Sequence, residues 1–244
     1  MTELLYQTDS YLQTFTATVT GADAEAHAVI MDRTAFYPSG GGQPSDQGSL
    51  SVLDGPLAGQ SVRVEKVKKQ GGEVYHFLDR EAPLPEVGAQ VRGQLDWERR
   101  YQHMRTHTAM HILCGVIFRD YGASVTGGDM EPLKGRMDFE FETMRGELVS
   151  AIEAAINIEV AAGREVRTAI LPREEAFQIP DLIRTKINLL PEGIQQVRVV
   201  EIVGLDLQAD GGTHVHNTSE VGRMRVVDYK SKGKINKRIY VELD

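Results

Sequence analysis

The chain has 244 residues, 41% of them hydrophobic and 25% charged, with a formal net charge of −8. These proportions fit a soluble globular protein of one large or two ordinary domains, and the acidic balance argues against nucleic-acid binding through overall charge. No run approaches the 18 or so apolar residues of a membrane span, MTELLYQTDS has no secretory-signal pattern, and the lone Cys114 excludes an intramolecular disulfide, so the expectation is a cytoplasmic protein.

Residues 1 to about 94 read as β structure. Strand candidates are 12–20, 24–32, 49–53, 61–69, 73–79 and 90–96, most of them separated by Gly- or Pro-containing breaks. Six short strands at this spacing predict a small barrel or folded sheet. Between them lies TAFYPSGGGQPSDQG (34–48). Gly40, Gly41 and Gly42 remove three β-carbons in succession, while Phe36, Tyr37, Pro38 and Pro44 anchor the flanks, which favours a shaped loop over a floppy turn.

After the linker 81–88, RRYQHMRTHTAMHILCGVIF (99–118) predicts an amphipathic helix. Ala109, Met110, Ile112, Leu113, Val116 and Ile117 form its apolar stripe. Cys114 lies on or near that stripe and reads as a small buried hydrophobe. His103, His107 and His111 recur every four residues on the other side, a spacing that lets two imidazoles reach one metal ion. The turn-rich SVTGGDMEPLKG (124–135) follows, then a strand at 136–142, a second amphipathic helix ended by Gly163 and a strand at 164–172. A short helix around 174–184, a strand at 195–203 and closing strands at 222–229 and 235–243 complete the chain. The order predicts an α+β second domain (95–244), helices on an antiparallel sheet, after an N-terminal β-barrel domain (1–94). Lys230, Lys232, Lys234, Lys237 and Arg238 crowd its end, either as a lysine-protected strand edge or as a phosphate-contacting patch.

Two more histidines, His214 and His216, stand in QADGGTHVHNTSEVG (208–222), two apart and so on one face of an extended segment. Asp210 precedes them across Gly211 and Gly212, a pair that permits a tight turn. With His107 and His111 this supplies four N and O donors of the kind Zn²⁺ takes. HTAMH carries Thr108 where a zincin peptidase needs its general-base glutamate, so that class is disfavoured.

HTAMH, the long gap, GGTHV with its following T and EVG, and FYPSGGGQPSDQG together resemble the editing domain of alanyl-tRNA synthetase and its freestanding AlaX-type relatives. The resemblance runs through nearly the whole chain in order. It implies that His107, His111 and His214 are zinc ligands and, through the ion, the catalytic residues; His103 matches no family ligand. Asp210 stands where the family usually has a cysteine. It either binds one Zn²⁺ directly, as a harder donor, or binds through water, with His216 competing for the position. Gly41, Gly42, Gln43 and Thr126 are candidate substrate contacts, and Thr213 is expected to shape the ligand turn. The implied activity is hydrolysis, in trans on already charged tRNA(Ala), of a wrong aminoacyl ester, chiefly serine with glycine as a further candidate. A metal-stabilised tRNA-binding module without chemistry is the rival reading. Gly41-Gly42-Gln43 also resembles the tip of peptide-release factors, a reading that ignores the histidines.

Overall fold

The computed structural model describes residues 1–141, 143–184 and 193–244. Its contacts group the chain into Met1–Tyr101 and Gln102–Asp244. In the first unit, β1 (Glu3–Leu4), β2 (Thr14–Asp23), β3 (Ala28–Met31), β4 (Arg33–Thr34), β5 (Gly48–Val52), β6 (Ser61–Gln70), β7 (Glu73–Leu78) and β8 (Gln90–Leu95) follow in order. Six of them close a barrel in the order β2-β3-β7-β6-β5-β8. Alternation explains why: β8 exposes Gln90, Arg92 and Gln94 and buries Val91, Gly93 and Leu95. Phe15, Val19, Met31, Leu50, Val64, Val91 and Leu95 meet inside.

The glycine loop is built into this barrel. Phe36 lies in the core against Phe15, ring centroids 5.7 Å apart. Gly40 and Gln43 exchange backbone N–H···O bonds of 3.1 and 2.9 Å, and Gly41 and Gly42 take φ of 57° and 87°. Two central residues at positive φ define a tight hairpin turn that glycine enters without steric cost. The Tyr37 hydroxyl donates to Gly40 O at 2.9 Å. Beneath the loop, fully buried Arg100 pairs with both oxygens of fully buried Asp46 and donates to Ser10 O and Ala35 O. Asp46 also accepts from Tyr37 N at 2.6 Å. This ion pair joins residues 54 positions apart.

Helix α1 (Trp97–Tyr121) runs from the first unit into the second. There β9 (Val125–Glu131), β10 (Lys134–Glu140), α2 (Gly146–Ala161), β11 (Val166–Pro172), α3 (Arg173–Ala176), β12 (Gln196–Ile202), β13 (Asp206–Ala209), β14 (Met224–Ser231) and β15 (Asn236–Leu243) form two antiparallel sheets, β14-β15-β10-β9 and β11-β12-β13. The expected amphipathic α1 is instead buried on both sides: His103, Met104, Thr106, His107, Thr108 and His111 are as hidden as Ile112, Leu113 and Cys114. The polar face lines an interior site, which periodicity cannot distinguish from a wetted face.

Two expectations are corrected. The turn-rich 124–135 contains strand β9, because β10 supplies its backbone partners and overrides the weak strand preference of Gly127 and Gly128. The helix around 174–184 is only the single turn Arg173–Ala176; Ile179 precedes Pro180, which disfavours helical backbone, and Asp181 has φ 54°. The expected strand 136–142 ends at Glu140, and its residue 142 lies outside the described residues. The terminal cations divide: Lys230 pairs with Asp228, Arg238 with Asp138, and buried Lys237 donates to Gly233 O and Lys234 O. Edge strand β14 is guarded by α2, where Glu153 accepts from Val226 N and Asn157 bonds both backbone groups of Met224. No described helix is long and apolar enough to cross a membrane.

Candidate metal centre

Four side chains from two distant segments converge. His107 and His111 come from consecutive turns of α1; Asp210 follows the end of β13, and His214 lies four residues on. One donor atom from each lies within 4.8 Å of all the others. Asp210 Oδ2 is 3.4 Å from His107 Nε2 and 3.9 Å from His111 Nε2, and its Oδ1 is 3.8 Å from His214 Nε2. Bonds of about 2.1 Å in a tetrahedral shell set neighbouring donors about 3.4 Å apart, so the four would draw in by up to about 1.4 Å around one small ion.

The ring of His214 stacks on His107 at 4.3 Å and meets His111 edge-on at 4.8 Å. His214 is 2% exposed, and among the described residues neither of its ring nitrogens has a hydrogen-bond partner. A buried imidazole without partners is costly unless a ligand satisfies it. That orphaned ring is the structural test the residues pass: they fit a metal ion. Asp210 is the least buried of the four, so the cluster reaches solvent on its side.

Electrostatics reinforce the grouping. Burial resists ionisation of Asp210, but the surrounding histidines, His107 foremost, hold its carboxyl well below the usual range. Burial, together with the neighbouring His107, pushes His214 well below an ordinary imidazole. Burial also opposes charge on His111, yet the carboxylates of Asp206 and Asp210 outweigh it and lift that ring to about 9.

Local chemistry explains the convergence. The glycine pair does not supply it through unusual backbone, since neither Gly211 nor Gly212 has positive φ. Instead Asp210 Oδ1 accepts from Gly212 N at 2.6 Å, a side-chain-closed turn, and Arg198 clasps the Asp210 backbone. Thr108 donates to Met104 O and accepts from Val215 N at 3.2 Å, which pins the His214 segment to α1. Sequence reading used position 108 only to exclude a peptidase and missed this brace. Thr213 is fully buried beside His214.

His216 does not share a face with His214: it is exposed at a bend, outside the cluster. The segment is irregular there, so the two-residue rule for strands does not apply. Thr126 lies on β9, not in a turn, and donates to Asn236 Oδ1 at 2.9 Å. Gln43 is buried at the foot of the glycine turn, whose tip at Gly41 and Gly42 is exposed. His103 is fully buried one turn before His107, outside the four-residue group.

Comparison with known proteins gives the family. Residues 7–99 match the family described as tRNA synthetases class II (A), and 197–240 match the threonyl and alanyl tRNA synthetase second additional domain. The alanyl-tRNA editing protein AlaX-M of Saccharolobus solfataricus is 40% identical over 98% of both chains. Its counterpart from Methanosarcina barkeri is 37% identical over 100% of this chain and 99% of its own. The alanine–tRNA ligase of Ignicoccus hospitalis is 37% identical over 93% of this chain, a stretch equal to 24% of that ligase. End-to-end identity at this level places the chain in the family of AlaX-type alanyl-tRNA editing proteins.

Proposed function

We propose that the protein is a trans-editing deacylase that hydrolyses the ester joining a wrong amino acid, chiefly serine, to tRNA(Ala), with His107, His111, Asp210 and His214 holding one Zn²⁺. The observation that carries this reading is the buried donor cluster, in which the His214 nitrogens lack hydrogen-bond partners among the described residues, in a chain that matches alanyl-tRNA editing proteins along its length. The need is physical: a pocket sized for alanine rejects an added hydroxyl by only about 10², so a second site must remove the intruder.

Zn²⁺ held by these residues would either polarise the ester carbonyl and activate a water, or hold the serine group and a water in attack geometry. The protein's own residues do the placing. The histidines present their ring nitrogens from one helix and from a segment braced against it by Thr108. Asp210 supplies the charge that a cysteine supplies in the family, and its partial exposure keeps the centre in reach of solvent. Gly41, Gly42, Gln43 and Thr126 are assigned as substrate contacts.

Ser-tRNA(Ala) and Ala-tRNA(Ala), each incubated with the protein before and after chelation, provide the test. Release of serine but little alanine, lost with the metal, is expected. Gln43→Ala and Thr126→Ala should each lower the rate at unchanged zinc content. Intact ester on both substrates would make the protein a tRNA-binding module and remove the enzyme reading.

A further inference from the structure

We propose that Asp206 is the positioning residue of the metal centre: its carboxylate fixes the His111 ring in the tautomer and orientation that present Nε2 to the ion. The inference rests on the metal reading above and extends it to a residue outside the ligand set. His111 Nδ1 lies 3.0 Å from Asp206 Oδ2, while Nε2 faces Asp210 across the cluster. An imidazole that donates Nδ1–H to a carboxylate keeps its Nε2 lone pair for a metal and is a stronger ligand for it.

The structure invests heavily in this carboxylate. The side chain of Asp206 is fully buried. Gln208 Nε2 donates to its Oδ2 at 2.6 Å and Arg184 Nε to its Oδ1 at 3.3 Å. The Arg184 guanidinium in turn lies over the Phe118 ring, 3.8 Å from its centroid. Asp206, Gln208 and Asp210 alternate along β13 and its continuation, so one strand face carries a ligand, the carboxylate behind a ligand and the amide that steadies it.

Gly115 admits that face to the helix. It sits in the interior of α1, four residues after His111, where glycine weakens the helix. A β-carbon there would lie 2.9 Å from Leu205 Cγ and 3.0 Å from Asp206 Cβ. The missing side chain is therefore what allows Asp206 to approach His111. Close approach, burial and three donors converge on one carboxylate that meets the centre through the His111 ring.

The test uses the full chain, stripped of metal and titrated with Zn²⁺ against a chromophoric chelator, and with Co²⁺ by visible absorption. Asp206→Asn keeps the shape and one acceptor but removes the charge. It should weaken zinc binding 10–100-fold, alter the Co²⁺ bands and shrink the metal-induced rise in Tm. A purely structural role would lower the metal-free Tm and leave affinity and spectrum alone. Zinc affinity within threefold of the unaltered protein, with the same Co²⁺ bands, would overturn the proposal. Should Asp206→Asn fail to fold, Gln208→Leu at its half-buried position removes one steadying donor; severalfold weaker binding supports the inference and unchanged binding overturns it. If the unaltered chain binds no zinc, the metal reading falls too, which separates the two failures.

Discussion

Asp46→Asn probes how firmly the glycine loop is tied to the barrel. Both Asp46 and Arg100 are fully buried, and the guanidinium has no water to turn to once the carboxylate loses its charge. Asparagine keeps one acceptor, and Ser10 O and Ala35 O still receive two donors, so some of the pairing survives. Removing one partner of a buried pair costs about 3–5 kcal/mol, and the remaining acceptors place this case near the lower end, about 3 kcal/mol. At a urea slope of about 2 kcal/mol/M that lowers the unfolding midpoint by about 1.5 M. The single tryptophan, Trp97, reports on the right region: it stacks on Tyr101 at 5.7 Å and packs against Tyr11 within the barrel unit. Urea titrations followed by its fluorescence give the midpoint directly. Arg100→Met in the Asp46→Asn background removes the stranded charge and should recover a large part of the loss. A single-variant cost under about 1 kcal/mol, or a double variant no better than additive, would refute the view that this pair holds the loop.

His76 should make the barrel acid-sensitive. It is fully buried; Nδ1 donates to Val29 O at 3.2 Å, and Nε2 accepts from Thr34 Oγ1, which in turn accepts from Phe36 N. Burial lowers its pKa from 6.5 to about 4, a cost to protonation that the bonds to Val29 and Val74 only soften. The unfolded chain takes up this proton near pH 6.5 and the folded barrel only near pH 4. Stability is therefore full above about 6.5 and falls as pH drops through that window, by about 3 kcal/mol at about 1.4 kcal/mol per unit. Urea midpoints between pH 7.5 and 4 check it; His76→Gln should flatten that slope, and an equal slope would exclude His76 as its source. Asp210→Cys restores the donor usual in the family and should bind zinc more tightly in the chelator assay, with an added thiolate charge-transfer band in the Co²⁺ form; unchanged affinity and no band would place residue 210 outside the shell.

Much of the architecture was legible as pattern. SVRVEKVKK and QVRGQLD predict strands at 61–69 and 90–96, and β6 and β8 run Ser61–Gln70 and Gln90–Leu95, because one wetted and one buried face leave a period of two. The i,i+4 histidines of α1 were legible for the same local reason. What the pattern left open needed three dimensions. Whether the histidine side of α1 meets water or protein depends on what packs there, and Asp206 of β13 and the His214 segment do. Asp210 stands with the histidines, in a turn closed through its own side chain, while His216 is exposed outside the group, which no local pattern indicates. Asp206 had a trace in the alternation of DLQAD, but its use depends on Gly115 lying opposite, about ninety positions earlier.

Local sequence determined the strands, the long helix, the glycine turn and the chemistry of each donor, since propensity, periodicity and side-chain type act within a few residues. The tertiary structure alone decided which donors share one point and which carboxylate stands behind them. It also joined Arg100 to Asp46 and placed His76 where only a neutral ring fits. Those outcomes depend on burial and on contacts between distant segments, and neither is written in any one stretch of the chain.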